Sequence, residues 1–231
     1  MSGTRKQLEH YLEDIKSSTR ILFDMSIGLL MESMVAFQEL DQVKASQVKE
    51  RSFKIEELSD KIERDVFETI ARRQPVAKDL RRLATYLQVC HHLYRVGRYA
   101  YKIAHIARLC EGEQHYKELI SLPHLADLAR QTLVIASIAI LDEDLSGIND
   151  LERLEAESDK ETEEMFQEIS EYLRKQEGIE RMSMFYVIVG RYFERAADHA
   201  FQMAERAIYV KTGRKQKLGK AYKRDDSIGP H

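Results

Sequence analysis

Proline and glycine are scarce in this chain: 3 and 10 in 231 residues. An all-β sandwich or barrel needs turn residues every 8–12 positions or so, and nothing here supplies them at that rate. Cysteine is scarcer still. Cys90 and Cys110 are too few for a disulfide framework and too far apart for Cys-xx-Cys chemistry, so free thiols in a reducing compartment are expected. A charge excess is missing too. Lys+Arg 36 against Asp+Glu 39 leaves a net charge of -3, which argues against a nucleic-acid partner. The most apolar run, Leu133 to Leu141, is far short of the roughly 20 residues that span a bilayer. Arg5, Lys6, Glu9, Glu13, Asp14 and Lys16 near the start do not suit a signal peptide, so a cytoplasmic location is expected. Gly3-Thr4-Arg5-Lys6 lacks the strand and spacing of a phosphate loop. No histidine follows a glutamate by three positions, which excludes the ligand pattern of a ferritin-like di-iron bundle.

What the chain does have suits long amphipathic helices: 43% hydrophobic and 32% charged residues. Leu8, Leu12, Ile15, Leu22 and Leu29 keep helical spacing and predict a first helix over about 5–40. Val48, Ile55, Leu58, Ile62, Val66 and Ile70 predict a second over about 42–72. Pro75 interrupts, and its ring suits the first turn of a third helix that runs to about Glu111. Further breaks at Pro123, Asp142–Asp144, Gly147 and Gly178 predict helices over about 122–144, 148–176 and 179–211. Gly213 sits where a helix-terminating glycine belongs.

The six helices divide as three and three. Tyr94–Arg95–Val96–Gly97–Arg98–Tyr99–Ala100 answers Glu194–Arg195–Ala196–Ala197–Asp198–His199–Ala200. An internal duplication is the economical reading. The expected fold is all-α: two tandem three-helix bundles of long antiparallel helices. The expected divisions are 1–115, 116–213 and a basic flexible tail over 214–231. The tail's Lys215, Lys217, Lys220, Lys223 and Arg224 would allow peripheral contact with anionic lipid or a partner.

Ala71–Arg72–Arg73–Gln74–Pro75–Val76–Ala77–Lys78–Asp79–Leu80–Arg81 closely resembles the connection between helices two and three in the PhoU family. Glu194–Arg195–Ala196–Ala197–Asp198–His199–Ala200 is similar to that family's Glu-Arg-Ile-Gly-Asp-His-Ala segment, and Tyr209–Val210–Lys211–Thr212–Gly213 resembles its usual close. The resemblance implies a cytoplasmic, non-enzymatic regulator of phosphate uptake, often a homodimer. Its implied partners are the ATPase of a high-affinity phosphate transporter and a sensor kinase. It also implies metal clusters on carboxylate motifs spaced by four residues.

In the second repeat, Asp159 and Glu163 form one such pair and Glu194 and Asp198 another. Residues four apart share a helix face. On neighbouring helices the four carboxylates would make an all-oxygen site for a hard cation: Mg²⁺, Ca²⁺, Mn²⁺ or iron. In the first repeat the corresponding positions read Ser52, Glu56, Tyr94 and Arg98. One carboxylate remains, so no cluster is expected there. Instead the Arg98 guanidinium is expected to replace the cation and pair with Glu56. Two alternatives stand beside this reading: a regulator of another ion transporter or channel, and a hydrolase built on the same carboxylates. The hydrolase has no evident base, nucleophile or pocket signal.

Overall fold

The apolar stripes fold as six α-helices: α1 Ser2–Gln38, α2 Gln42–Arg73, α3 Ala77–Leu109, α4 Ser121–Leu141, α5 Ile148–Lys175 and α6 Glu180–Thr212. The computed structural model describes residues 2–219. Local chemistry sets the helix ends. The Asp41 carboxylate accepts hydrogen bonds from the N–H groups of Val43 and Lys44 and caps α2. Gly213 ends α6 at φ 74, its N–H donating to the Tyr209 carbonyl.

Pro75 falls outside the first turn of α3, where the sequence placed it. Gln74 closes α2 in the left-handed region at φ 48, and its N–H donates to the Ile70 carbonyl. Val76 is extended and Ala77 is left-handed at φ 50. These left-handed residues, each disfavoured by about 1–2 kcal/mol, reverse the chain within a few positions, so α3 begins after the proline. Pro123 does sit in the first turn of α4, where its missing N–H costs no helical bond. α4 stops at Leu141, earlier than expected, because Glu143 turns left-handed at φ 53.

α1–α3 form one three-helix bundle and α4–α6 a second. The bundles join where α3 packs on α6 and α1 on α4, which leaves α2 and α5 as the outer helices. Phe23, Phe37, Tyr186 and Phe193 are fully buried, within a core that runs through both bundles. By length and composition α1 and α4 could each cross a membrane, which a search for unbroken apolar runs does not see. Here 50% and 56% of those stretches are buried inside the bundle.

The duplication is visible residue by residue. Buried Ala45, Val48, Ser59, Ile62 and Val66 of α2 match buried Ile148, Leu151, Thr162, Met165 and Ile169 of α5 at one constant offset. Leu83, Tyr86, Val89, Leu93 and Val96 of α3 match Ser183, Tyr186, Val189, Phe193 and Ala196 of α6 in the same way.

A charged clasp ties the α4–α5 loop to the first bundle. Lys78 Nζ lies 2.6 Å from Glu143 Oε2, and Arg82 Nε donates to Glu143 Oε1 at 2.7 Å. Burial opposes ionisation of Glu143, but these two cations hold its carboxyl below the ordinary range. Arg20 Nη2 donates to Asp142 Oδ1 at 2.9 Å, and Lys211 Nζ donates to the Glu143 carbonyl at 3.0 Å.

Candidate functional site

Between α4, α5 and α6 of the second bundle lies a cavity of about 130 Å³. Its apolar floor includes Leu128, Leu154 and Phe201, and four carboxylates line it: Glu155 and Asp159 from α5, Glu194 and Asp198 from α6. Each pair is spaced by four residues and so shares a helix face.

Of the expected set, Asp159, Glu194 and Asp198 line this cavity and Glu163 does not. Glu163 stands one turn further along α5, about 6 Å by helix rise. Its Oε1 accepts a hydrogen bond from Gln167 Nε2 at 3.3 Å. Glu155 takes its place. Glu155, Asp159 and Glu163 repeat at the same spacing, so spacing alone cannot say which two face the cavity. The buried stripe can. In the register that matches α2 to α5, Ser52 answers Glu155, Ile55 answers Ser158 and Glu56 answers Asp159.

Burial dominates the electrostatics at Asp198. Burial raises the pKa of the Asp198 carboxyl; Arg191 opposes this, while Glu194 and Asp159 add to it. Arg191 Nη1 donates to Glu194 Oε2 at 2.7 Å, so a guanidinium supplies positive charge at the cavity wall. Among the described residues, no three His, Cys, Asp or Glu side chains come together as metal ligands.

The matching space in the first bundle is filled. A Cβ added to Gly97 would lie 2.8 Å from Ile55 Cδ1, so α3 and the Ile55 side chain are in close contact. Ser52 is buried, and its hydroxyl donates to the Lys49 carbonyl at 2.7 Å. Glu56 is exposed. The expected Arg98–Glu56 pair does not form: the Arg98 guanidinium stacks over the Tyr101 ring at 4.7 Å. A ring one turn away on the same helix face captures the cation without desolvating a second charge.

A second, larger cavity of about 640 Å³ lies where α3 meets α6 and is bounded by His91, His92, Glu155, Asp198, Lys217 and Leu218. Nearby, His92 Nδ1 and His199 Nδ1 are 3.0 Å apart, and the Tyr99 hydroxyl is 3.1 Å from His199 Nε2. A 3.0 Å N–N contact needs one donor and one acceptor, so at least one ring is neutral. Burial lowers both imidazoles to about 4. This pair joins the two bundles, and no spacing along one helix signals it because its members come from different repeats. Cys90 and Cys110 are buried thiols, pushed up by burial to about 12 and about 11.

The profile of one family, described as the PhoU domain, matches this chain twice, over residues 19–107 and 122–207. A relative from Methanothermobacter thermautotrophicus, a phosphate-specific transport system accessory protein PhoU homolog, is 27% identical over 212 residues. That match covers 90% of this chain and 92% of the relative. A homolog from Thermotoga maritima is 26% identical over 212 residues, covering 90% of each. The crystal structure of PhoU from Pseudomonas aeruginosa superposes with a TM-score of 0.82 at 25% identity, covering 89% of this chain and 99% of that one. The phosphate transport system regulatory protein PhoU from Streptococcus pneumoniae shares the fold, with a TM-score of 0.82 at 21% identity. It covers 91% of this chain and 100% of its own.

Proposed function

The chain belongs to the PhoU family, and from that premise we propose that it regulates phosphate uptake by docking on a phosphate transporter. The supporting observation is the family match in both halves of the chain, together with relatives named as phosphate-specific transport system accessory proteins. The partner would be the transporter's ATPase, with a sensor kinase as a second contact and a homodimer as the acting form. Docking suits the structure: two outer helices, α2 and α5, each present a long charged face.

The second repeat would hold a hard cation through Glu155, Asp159, Glu194 and Asp198. The donor set is all oxygen, which suits Mg²⁺, Ca²⁺, Mn²⁺ or iron. Asp198 resists ionisation because it is partly desolvated among other carboxylates. A bound cation would offset that desolvation and favour the ionised form of Asp198. Arg191 occupies part of that role, so Glu194 would exchange its guanidinium partner when the site loads. Glu163 would remain outside the ligand set.

The test is recovery of partners from phosphate-rich and phosphate-poor cells with the intact protein as bait, followed by mass spectrometry. Phosphate-transporter subunits are expected in a phosphate-dependent amount. Recovery of only potassium-channel components would overturn the phosphate assignment and favour regulation of another transporter.

A further inference from the structure

The segment after α6 was expected to be a flexible tail. Within it Lys217, Leu218 and Gly219 contact the second bundle, while residues 214–216 are exposed; the remainder of the tail, including Lys220, Lys223 and Arg224, lies outside the described residues. Gly213 turns the chain back along α6. Lys217 Nζ donates to Glu205 Oε2 at 3.0 Å, and the Leu218 N–H donates to Glu205 Oε1 at 3.0 Å. Leu218 is 9% exposed and belongs to the main core. Gly219 is left-handed at φ +92, and a Cβ there would sit 3.3 Å from Glu155 Oε1. Only a residue without a side chain fits at 219 without touching Glu155, a carboxylate that lines the candidate cation site.

We propose that residues 214–219 form a strap that gates this site, so that strap docking and cation binding compete. The inference rests on the cation reading given above. Two physical effects carry it. First, Glu155 lines both cavities, and the strap forms a wall of the larger one. With the strap docked, the Glu155 carboxylate lies beside Gly219; because the carboxylates are not converged, sharing a cation with Asp159 and Asp198 would require it to move. Second, the strap is basic. Lys217 is held beside Glu205, and Arg214 and Lys215 are exposed next to it. A cation entering the site meets that positive charge, and undocking the strap relieves the repulsion. Competition of this kind is reciprocal: whatever factor the strap costs the cation, the cation costs the strap.

The test uses Mn²⁺ as the probe and the full chain throughout. Leu218→Asp removes the apolar anchor, and Leu218→Met keeps it. Gly219→Ala places a methyl group against Glu155 at a left-handed position and loosens the strap without touching the core, so it carries the comparison if Leu218→Asp folds poorly. Calorimetry should show Mn²⁺ binding about tenfold tighter to Leu218→Asp and Gly219→Ala than to the unchanged protein or Leu218→Met. Tryptic cleavage after Lys215 and Lys217, followed by mass spectrometry, should accelerate by a similar factor when the unchanged protein is saturated with Mn²⁺. Equal Mn²⁺ affinity in all four proteins, with cleavage showing the strap released in the loosened variants, would overturn the gate and leave the cation site standing. No Mn²⁺ binding to any of the four would overturn the cation site and the gate with it.

Discussion

The two repeats share most of a buried stripe and fill the same gap differently. Between its second and third helices the first repeat places Ile55, 1% exposed, hard against Gly97. The second places Ser158 and Ala197 there and keeps a cavity of about 130 Å³ edged by carboxylates. Packing and site compete for one volume. A bulky apolar residue closes the gap and stabilises; a small one leaves room and lets charge gather. Duplication allows both solutions in one chain, because the closed repeat supplies stability that the open repeat gives up.

Four measurements would break or sharpen that contrast. The largest effect is expected from Ile55→Ala, which opens in the first repeat the gap the second already has. It should cost about 2–4 kcal/mol in urea unfolding. The matched Ser158→Ala should stay within about 0.5 kcal/mol. Equal losses at both positions would mean that the gaps are not distinct. Next comes the ligand set. Glu155→Gln should weaken Mn²⁺ binding by about tenfold or more, as loss of a ligand should cost at least as much as loss of a supporting group. Glu163→Gln should leave binding unchanged, and the reverse result would restore the register predicted from spacing.

The third measurement asks whether the repeats act as one body. His92 and His199 titrate at about 4 in the folded chain. An unfolded histidine titrates at about 6.5. The unfolded chain therefore binds more protons between those values. The neutral pair's stability is complete above pH ~6.5 and is lost as pH falls toward about 4. A His92→Gln/His199→Gln double variant should flatten this part of the stability profile. The smallest effect is expected at Asp198. Its pKa is raised on folding, so its contribution falls as pH rises through the unfolded and then the folded value. Asp198→Asn should raise Tm of the cation-free protein by about 1–2 °C at neutral pH. Glu56→Gln, at the exposed counterpart of Asp159 in the first repeat, should not change it.

The helices were legible in the sequence because apolar spacing and a few breakers set them. The placement of Pro75 missed because it rested on the ring's preference alone. Nothing in the residue types announces two left-handed residues around that proline. In the candidate site, the α6 pair was legible because Glu194 and Asp198 have no acidic neighbour at the same spacing. The α5 pair was not, because a run of acidic residues every four positions looks the same after a slip of one turn. The stripe from Ile148 to Ile169, set against Val48 to Val66, held the information needed. The His92–His199 contact and the docking of Leu218 depend on how the bundles meet, which periodicity along a single helix does not encode.

The charged clasp also bears on the order of assembly. Lys78, Arg82 and Arg20 lie in the half of the chain that a ribosome makes first, while Asp142 and Glu143 come later. By the time the loop emerges, the helices carrying its partners have already been made. Domains generally fold as units from the N-terminal end during synthesis. The first repeat therefore serves as a template on which the second is laid down, with Glu143 as the point of arrival.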